Sequence, residues 1–206
     1  MEKVRPKLFG DYNPYSEVEL FPLDMQGWSS QHEIFEEVIA EVKPELIVEV
    51  GTWKGGSAIH MANICKKLGL DTEIVCIDTF QGSVEHWDGS SIKMNFKRGR
   101  PDIYDVFLSN VKHNNHTDMI TPFPIDSING ALTLKRLGIL ADIVYIDAGH
   151  EYTSVFMDLL EFAPLVRPAG RLIGDDYFYE PVRKATVDIF GADKVIDRNP
   201  KFVWIK

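Results

Sequence analysis

Acidic residues and a histidine follow two neighbouring apolar runs in the second half of the chain. Asp147 and His150 come after the first run, and Asp175 and Asp176 come after the second. If the two runs are adjacent parallel strands, about 4.8 Å apart, then Asp147 and at least one of the other two carboxylates can reach one point. Carboxylates so close together repel one another unless a positive charge lies between them. The pattern therefore predicts a divalent cation with oxygen ligands, such as Mg²⁺.

An interpretation without a metal stays open for these aspartates. Aspartate side chains also close the turn between a strand and its loop by accepting hydrogen bonds from nearby backbone N–H groups. Consecutive strand residues point to opposite sides, so either Asp175 or Asp176 could be such a cap, or could support a ligand rather than bind the ion.

An earlier apolar run, Leu46–Val50, leads into spaced glycines and contains the acid Glu49. A buried strand that enters a helix through a glycine turn is how α/β proteins hold a small charged cofactor, although such turns also occur for packing alone. The dinucleotide pattern G-x-G-x-x-G fails because Trp53 occupies the second glycine position after Gly51, and the P-loop pattern fails because no lysine follows the glycines. The remaining pattern is acid-x-G-x-x-x-G, which ends at Gly55.

Two further aspartates end the second and third apolar runs. Asp78 would lie beside the glycine turn, where a carboxylate can accept hydrogen bonds from both hydroxyls of a ribose, and a turn cap is the alternative. Asp126 would lie near the amine of an adenine, or it would cap the helix expected from Ile128. For Asp126 the two roles are compatible with each other.

Composition limits the classes of partner. The chain has 206 residues, of which 45% are hydrophobic and 26% charged, which predicts a single globular domain with a sizeable core. A formal charge of -9 argues against nucleic acid or an anionic membrane as the main partner. No apolar run approaches the roughly 20 residues of a membrane span, and two cysteines are too few for a disulfide framework. We therefore expect a cytoplasmic protein that binds neither nucleic acid nor membranes, and a homo-oligomer remains possible.

The elements that must position these residues alternate along the chain. Runs rich in Val, Ile and aromatic residues predict strands at 46–50, 73–78, 119–125, 142–147, 170–174, 194–197 and 201–205. Helices are predicted at 30–42, 56–68, 103–114, 128–137, 152–165 and 181–190. The gap around Asn199 and Pro200 is too short for a crossover, so the last two strands must form an antiparallel hairpin. The predicted fold is α/β and doubly wound, with a seven-stranded, mostly parallel sheet and a C-terminal antiparallel hairpin.

Two segments lie outside the repeating pattern. We expect residues 1–44, an N-terminal extension with the first helix, to form part of a substrate cover, and residues 45–206 to form the catalytic domain. The polar insertion 79–101 is expected to fold over the substrate as a lid. It contains His86, a candidate base.

Two runs carry a family resemblance: Asp147-Ala148-Gly149-His150-Glu151-Tyr152 and Gly174-Asp175-Asp176-Tyr177. Together with the glycine turn, they resemble class I S-adenosylmethionine-dependent methyltransferases. The nearest groups are the macrocin O-methyltransferase and cephalosporin hydroxylase type families, which are relatives of catechol O-methyltransferase. The similarity covers roughly positions 45 to 178. Ala148 and Ala169 depart from the pattern, since these families usually have glycine there.

This resemblance implies a Mg²⁺-dependent O-methyltransferase that acts on a hydroxyl of a small molecule, such as a sugar, a glycoside or a diol-containing natural product. It implies that S-adenosylmethionine is held by Glu49, Gly51, Gly55, Ser57 and Asp78, with Asp126 near the adenine. It likewise implies that Asp147, Asp175 and Asp176 hold the metal.

The resemblance also suggests the base. His150 stands where catechol O-methyltransferase has a catalytic lysine, and a neutral imidazole is available at pH 7, so His150 is the first candidate base and His86 the second. Two other interpretations stay open: a nicotinamide-dependent oxidoreductase on a Rossmann sheet, and a non-catalytic binding or assembly module that kept the fold.

Overall fold

In the computed structural model, which describes residues 3–206, helices and strands alternate along the chain. The strands are β1 (Leu46–Val50), β2 (Glu73–Asp78), β3 (Phe96–Lys97), β4 (Arg100–Pro101), β5 (Ile120–Pro124), β6 (Ala141–Ile146), β7 (Val166–Gly174), β8 (Val195–Arg198) and β9 (Lys201–Ile205). The α-helices are α1 (Val4–Phe9), α2 (Ile34–Val42), α3 (Gly56–Lys67), α4 (Val84–Trp87), α5 (Ile103–His113), α6 (Ser127–Arg136), α7 (Tyr152–Phe162) and α8 (Glu180–Phe190).

The predicted sheet is confirmed. Seven strands lie in the order β5-β2-β1-β6-β7-β9-β8. The first five of these are parallel, whereas β9 runs antiparallel to both β7 and β8. The chain leaves the centre of the sheet in opposite directions from β1 and β6, which makes their carboxyl ends a topological switch point, where open α/β sheets bind ligands.

Apolar layers cover both faces of the sheet, as a doubly wound fold requires. Buried side chains of α2, α3 and α5 pack on one face, and those of α6, α7 and α8 pack on the other. β1 is buried at every position because it lies in the middle of the sheet between these two layers.

The strand register brings the candidate site residues to one edge. Val50 pairs with Ile77 of β2 and with Ile146 of β6, and Ile146 pairs with Gly174 of β7. The residues that follow these paired positions therefore lie side by side: Gly51, Asp78, Asp147 and Asp175.

The N-terminal segment packs across β2 and β5, and its first helix was not predicted. The buried carboxylate of Glu73 accepts hydrogen bonds from the backbone N–H groups of Val4 (2.6 Å) and Arg5 (2.9 Å). The Tyr15 hydroxyl donates to the Ile120 carbonyl at 2.9 Å. The six-residue helix α1 depends on a distant carboxylate at its N-terminus, which no local pattern reveals.

Other differences from the prediction are local. The helix expected to start at residue 30 starts at Ile34, and the helix expected to end at residue 165 ends at Phe162 and continues as a 3₁₀ turn containing Pro164. The insertion 79–101 folds into α4 and the small β3–β4 hairpin, neither of which was predicted. Across residues 3–206, every helix is too short or too polar to span a bilayer.

Candidate active site

A cavity of about 820 Å³ opens at the carboxyl ends of the central strands. Its wall is formed by the strand ends together with residues 26–30 of the N-terminal segment and parts of the insertion 79–101. Among the predicted site residues, the following line it: Gly51, Ser57, Asp78, His86, Asp126, Asp147, His150, Asp175 and Asp176. Glu49 and Gly55 do not.

Backbone conformation and packing both explain the two motif glycines. Gly51 has a φ of 81°, and a Cβ there would lie 2.1 Å from the carbonyl oxygen of Asp147. Gly55 has a φ of 88°, and its Cβ would lie 3.0 Å from the ring of Phe107. The turn therefore needs glycine at 51 so that the ends of β1 and β6 can approach, and at 55 because of the left-handed backbone, with the Phe107 ring of α5 leaving little room beside it. A cofactor contact of Gly55 stays a prediction.

Glu49 lies beneath the glycine turn and is fully buried. Its carboxylate accepts hydrogen bonds from the hydroxyls of Thr52 (2.6 Å) and Ser57, and from the thiol of Cys76 (3.4 Å). Burial raises the pKa of Glu49, and the two hydroxyl bonds act in the opposite direction. Glu49 thus ties the turn to α3 and β2, while a direct contact with a cofactor remains untested.

Asp78 caps the same turn from the neighbouring strand. Its Oδ2 accepts the N–H groups of Thr52 and Trp53, both at 2.9 Å, and its Oδ1 accepts that of Phe80 at 2.7 Å. Burial raises the pKa of Asp78, and these backbone hydrogen bonds oppose that shift. The cap interpretation therefore holds. A carboxylate has about four lone-pair sites, so one further donor can still be accepted at Oδ1.

Asp126 caps α6 as predicted. Its carboxylate accepts hydrogen bonds from the backbone N–H of Asn129 at 2.9 Å and from the Asn129 side-chain amide at 2.7 Å. These bonds lower the pKa of Asp126. The residue also lies on the cavity wall, so the cap leaves the proposed role near an adenine open.

Asp147, His150 and Asp176 form a cluster that could hold a metal ion. One ligand atom from each lies within 4.8 Å of the others. The imidazole Nε2 of His150 lies 2.9 Å from Oδ2 of Asp176, and this hydrogen bond raises the pKa of His150. Burial, reinforced by the nearby Asp175, raises the pKa of Asp147 to about 7.

Asp175 departs from the predicted ligand set. Its Oδ2 lies 2.9 Å from the Tyr145 hydroxyl oxygen and accepts a hydrogen bond from the ammonium group of Lys201, while its Oδ1 accepts the N–H of Asp176 at 2.8 Å. Sequence reasoning missed Lys201 and Tyr145. The available signal was a lysine that opens the apolar run Phe202-Val203-Trp204-Ile205.

His86, the second candidate base, is held in a different way. Its Nδ1 accepts the N–H of Ser83 at 3.1 Å, so in the neutral ring the proton is on Nε2. The ring stacks on Trp53, with centroids 4.3 Å apart. Within the described part of the chain, neither His86 Nε2 nor Trp53 Nε1 finds a hydrogen-bond partner, although both atoms are buried. This arrangement presents two donors and does not favour His86 as a base.

Exposed aromatic side chains surround the mouth of the cavity. Trp28 is 61% exposed, and Phe178 and Tyr179 are each 47% exposed. The segment that carries Trp28 is held by Lys54, whose ammonium group donates to Asp24 at 2.6 Å and to Gln26 at 3.0 Å. Flat apolar faces that remain in contact with solvent are suited to stacking against a ligand.

Comparison with known proteins adds to this geometry. A family model described as "Methyltransferase domain" matches residues 48–177. The chain is similar to a rhamnosyl O-methyltransferase of Mycobacterium tuberculosis, with 24% identity over 151 residues, which cover 72% of this chain and 53% of that protein. It is also similar to 8-demethyl-8-(2,3-dimethoxy-alpha-L-rhamnosyl)-tetracenomycin-C 4'-O-methyltransferase of Streptomyces olivaceus, with 29% identity over 176 residues, 79% of this chain and 64% of that protein.

A solved structure shares the fold. The O-methyltransferase TomG of Streptomyces achromogenes, in complex with SAM, superposes with a TM-score of 0.62 at 14% identity, over 89% of this chain and 82% of that one. The chain spans about half the length of the rhamnosyl O-methyltransferase it matches. Because the family model covers more than half of the chain, including the glycine turn and the aspartate runs, the chain belongs to the methyltransferase-domain family.

Proposed function

We propose that this protein transfers the methyl group of S-adenosylmethionine to a hydroxyl of a sugar-linked small molecule, assisted by a divalent cation. One observation carries the proposal: a single cavity joins the glycine turn and Asp78 to the cluster of Asp147, His150 and Asp176. Groups suited to cofactor recognition and to acid–base chemistry thus line one cavity.

The cavity wall fits the methyl donor. A ribose hydroxyl can donate to Asp78, and the adenine amine can donate to Asp126. The N-terminus of α3 opens onto the cavity at Gly56 and suits a carboxylate. The buried donors Trp53 Nε1 and His86 Nε2 fit a ligand that brings hydrogen-bond acceptors, which S-adenosylmethionine does.

The cluster also fits a divalent cation. Asp147 and Asp176 supply carboxylate oxygens, and Mg²⁺ is commonly bound by one or two carboxylates together with water and substrate oxygens. When bound, such an ion lowers the pKa of a coordinated hydroxyl and orients it. The Asp147 carboxylate is oriented by a hydrogen bond that its Oδ2 accepts from the Tyr145 hydroxyl at 2.8 Å.

The reaction is a displacement at the methyl carbon. The substrate oxygen forms a bond to that carbon while the carbon–sulfur bond breaks and its electron pair stays on sulfur. The hydroxyl proton passes to Nδ1 of His150, because Nε2 of that ring is held by Asp176. Alignment of the two substrates can contribute about 7–11 kcal/mol to lowering the barrier.

A sugar-linked acceptor is the class that the observations favour. Both relatives named above are rhamnosyl or rhamnoside O-methyltransferases by name. The exposed rings of Trp28, Phe178 and Tyr179 at the cavity mouth can stack on the apolar face of a sugar or on an aromatic aglycone.

Calorimetric titration with S-adenosylhomocysteine, with Mg²⁺ or a chelator present, tests the two halves of the site separately. Asp78→Ala should weaken S-adenosylhomocysteine binding at least about tenfold and leave Mg²⁺ binding intact, because it removes the acceptor of three backbone donors and of the ribose. Asp147→Ala should do the reverse. Asp71→Ala is the matched control, since Asp71 is exposed and lies outside the cavity.

Each other outcome changes the proposal in a defined way. If S-adenosylhomocysteine does not bind the unaltered chain, the proposed reaction is wrong. If S-adenosylhomocysteine binds equally well in Mg²⁺ and in chelator and Mg²⁺ itself does not bind, S-adenosylmethionine remains the proposed methyl donor and the proposed role of the cation is wrong. If binding is normal but no methyl passes from labelled S-adenosylmethionine to a panel of rhamnosides and related glycosides, the acceptor class is wrong or the chain is a binding module.

A further inference from the structure

A buried ion pair lies directly behind the candidate cation cluster. The Lys201 side chain is fully buried, and its ammonium group contacts Oδ2 of Asp175 and the hydroxyl of Tyr145, the latter at 2.9 Å. The same nitrogen lies 5.2 Å from the ring centroid of Phe35 and 4.9 Å from that of Tyr145. A buried ion pair contributes little net stability, because removing both charges from water costs about as much as their attraction returns. The pair therefore calls for another explanation.

The Tyr145 hydroxyl lies near two carboxylates but can donate a hydrogen bond to only one of them. The Tyr145 hydroxyl lies 2.8 Å from Asp147 Oδ2 and 2.9 Å from Asp175 Oδ2, but it has one proton to donate. Because Asp175 Oδ2 already accepts a hydrogen bond from the ammonium group of Lys201, we assign the Tyr145 hydroxyl proton to the hydrogen bond with Asp147. A chain of donors thus runs from Lys201 through Tyr145 to Asp147.

This arrangement engages both oxygens of Asp175 within the protein. Oδ2 faces Lys201, and Oδ1 accepts the N–H of Asp176 at 2.8 Å. Asp175 is absent from the group of side chains that could share an ion, although it lies next to Asp147 in the sheet register. The ammonium group supplies at Asp175 a positive charge that a metal would otherwise have to supply.

The charges near the cluster are then matched to a divalent ion. Three aspartates follow β6 and β7, and Lys201 neutralises one of them. All three line the cavity, but only the other two, Asp147 and Asp176, have ligand atoms close enough to those of His150 to share one ion. Without the lysine, three negative charges would converge, and the fold itself would need an added cation.

We propose that Lys201 is a positioning residue, an internal counter-ion that keeps Asp175 out of the cation-binding set, so that the cation is exchangeable rather than structural. The inference rests on the proposed cation site. It assigns the terminal hairpin a role in that site, because Lys201 is the first residue of β9 and reaches Asp175 only through the antiparallel pairing of β9 with β7.

Mn²⁺ binding measured by electron paramagnetic resonance, together with thermal melting in Mn²⁺ or chelator, tests this without an activity assay. The unaltered chain should bind Mn²⁺ and remain folded in chelator, with a melting temperature that Mn²⁺ raises only by the amount its binding affinity provides. Lys201→Met should bind Mn²⁺ at least tenfold more tightly, because Asp175 becomes available to the ion. In chelator this variant should melt at a lower temperature than the unaltered chain, because the charge of Asp175 has lost its counter-ion. The double variant Lys201→Met/Asp175→Asn should return Mn²⁺ affinity to within about threefold of the original and remain folded in chelator, since both buried charges are gone.

The outcomes separate this inference from the proposed function. If the unaltered chain binds Mn²⁺ and Lys201→Met binds it equally or more weakly, the role of Lys201 is refuted and the cation site stands. If only Lys201→Met binds Mn²⁺, the cation drops out of the proposed function and the counter-ion role is supported. Loss of Mn²⁺ binding in the double variant would show that Asp175 is itself a ligand. Unchanged S-adenosylhomocysteine affinity serves as the check that each variant is folded.

Discussion

Asp158 is a buried carboxylate whose ionisation should make the fold less stable at neutral pH. It lies on α7, is 4% exposed, and has the Ser127 hydroxyl at the start of α6 as its hydrogen-bonding partner. Burial raises its pKa from 3.8 to about 6 despite that hydrogen bond. An acid whose pKa is higher in the folded state binds protons more tightly when folded. The stability it contributes is present below pH 3.8 and is lost as pH rises to about 6.

The size of this effect follows from the shift. Each pKa unit corresponds to 1.36 kcal/mol, so a shift of about two units costs about 3 kcal/mol of unfolding free energy at pH 8. At pH 5 the same relation gives a smaller cost in unfolding free energy, about 1.6 kcal/mol, because Asp158 is protonated in most of the folded molecules at that pH. Asp158→Asn removes the titrating group, and an asparagine carbonyl can still accept the Ser127 proton.

We therefore expect Asp158→Asn to be more stable than the original chain, by about 1–1.5 kcal/mol more at pH 8 than at pH 5. Urea unfolding followed by circular dichroism at the two pH values measures this difference directly. Asp193→Asn, at an exposed position, is the control and should change stability by less than about 0.5 kcal/mol at either pH. A stability gain that is the same at both pH values, or no gain at pH 8, would refute the reasoning.

Two further predictions concern the scaffold. Gly51→Ala should destabilise the fold by at least about 4 kcal/mol, since its Cβ would lie 2.1 Å from a carbonyl oxygen of β6's end, whereas Gly69→Ala, at a φ of 68° with nothing within 4 Å, should cost only about 1–2 kcal/mol. Similar urea midpoints for the two variants would contradict this. Glu73→Ala should cost about 2–4 kcal/mol, because the N–H groups of Val4 and Arg5 and the Thr121 hydroxyl lose their acceptor. It should also expose residues 3–20 to limited proteolysis; resistance equal to that of the unaltered chain would count against the docking of α1.

The methyltransferase interpretation was within reach of the sequence because its signals are local. Leu46–Val50 is apolar without interruption, and only a strand buried on both faces needs such a run. The positions of Asp78 and Asp147 follow from the same logic, since the carboxyl ends of parallel strands share one edge. The short gap before Lys201 required the terminal hairpin, which the sheet order confirms.

The physical role of the two motif glycines was harder to predict from the sequence. The resemblance implies that Gly55 helps to hold the cofactor, which stays a prediction, and the structure adds a separate reason for glycine there: a φ of 88° with the ring of Phe107 3.0 Å from where a Cβ would lie. Glycine is required at such a position whether the neighbour is a ligand or a ring, so spacing alone could not distinguish the two. The same holds for Asp78, whose cap and whose proposed ribose contact require the same carboxylate at the same place.

The sequence by itself determined the order of the seven strands of the main sheet and of the helices between them, the glycine turn, and the aspartates that end the strands, because these depend on hydrophobic periodicity and chain connectivity. Only the tertiary structure decided which aspartates can share an ion with His150 and which one is neutralised by a lysine. Asp175 and Asp176 are adjacent in the chain and chemically identical, yet Asp176 belongs to the cluster with Asp147 and His150, whereas Asp175 pairs with Lys201, 26 residues away. That division depends on a contact between strands that no local pattern specifies, since the energy of a buried carboxylate is set by whichever charge the fold brings to it.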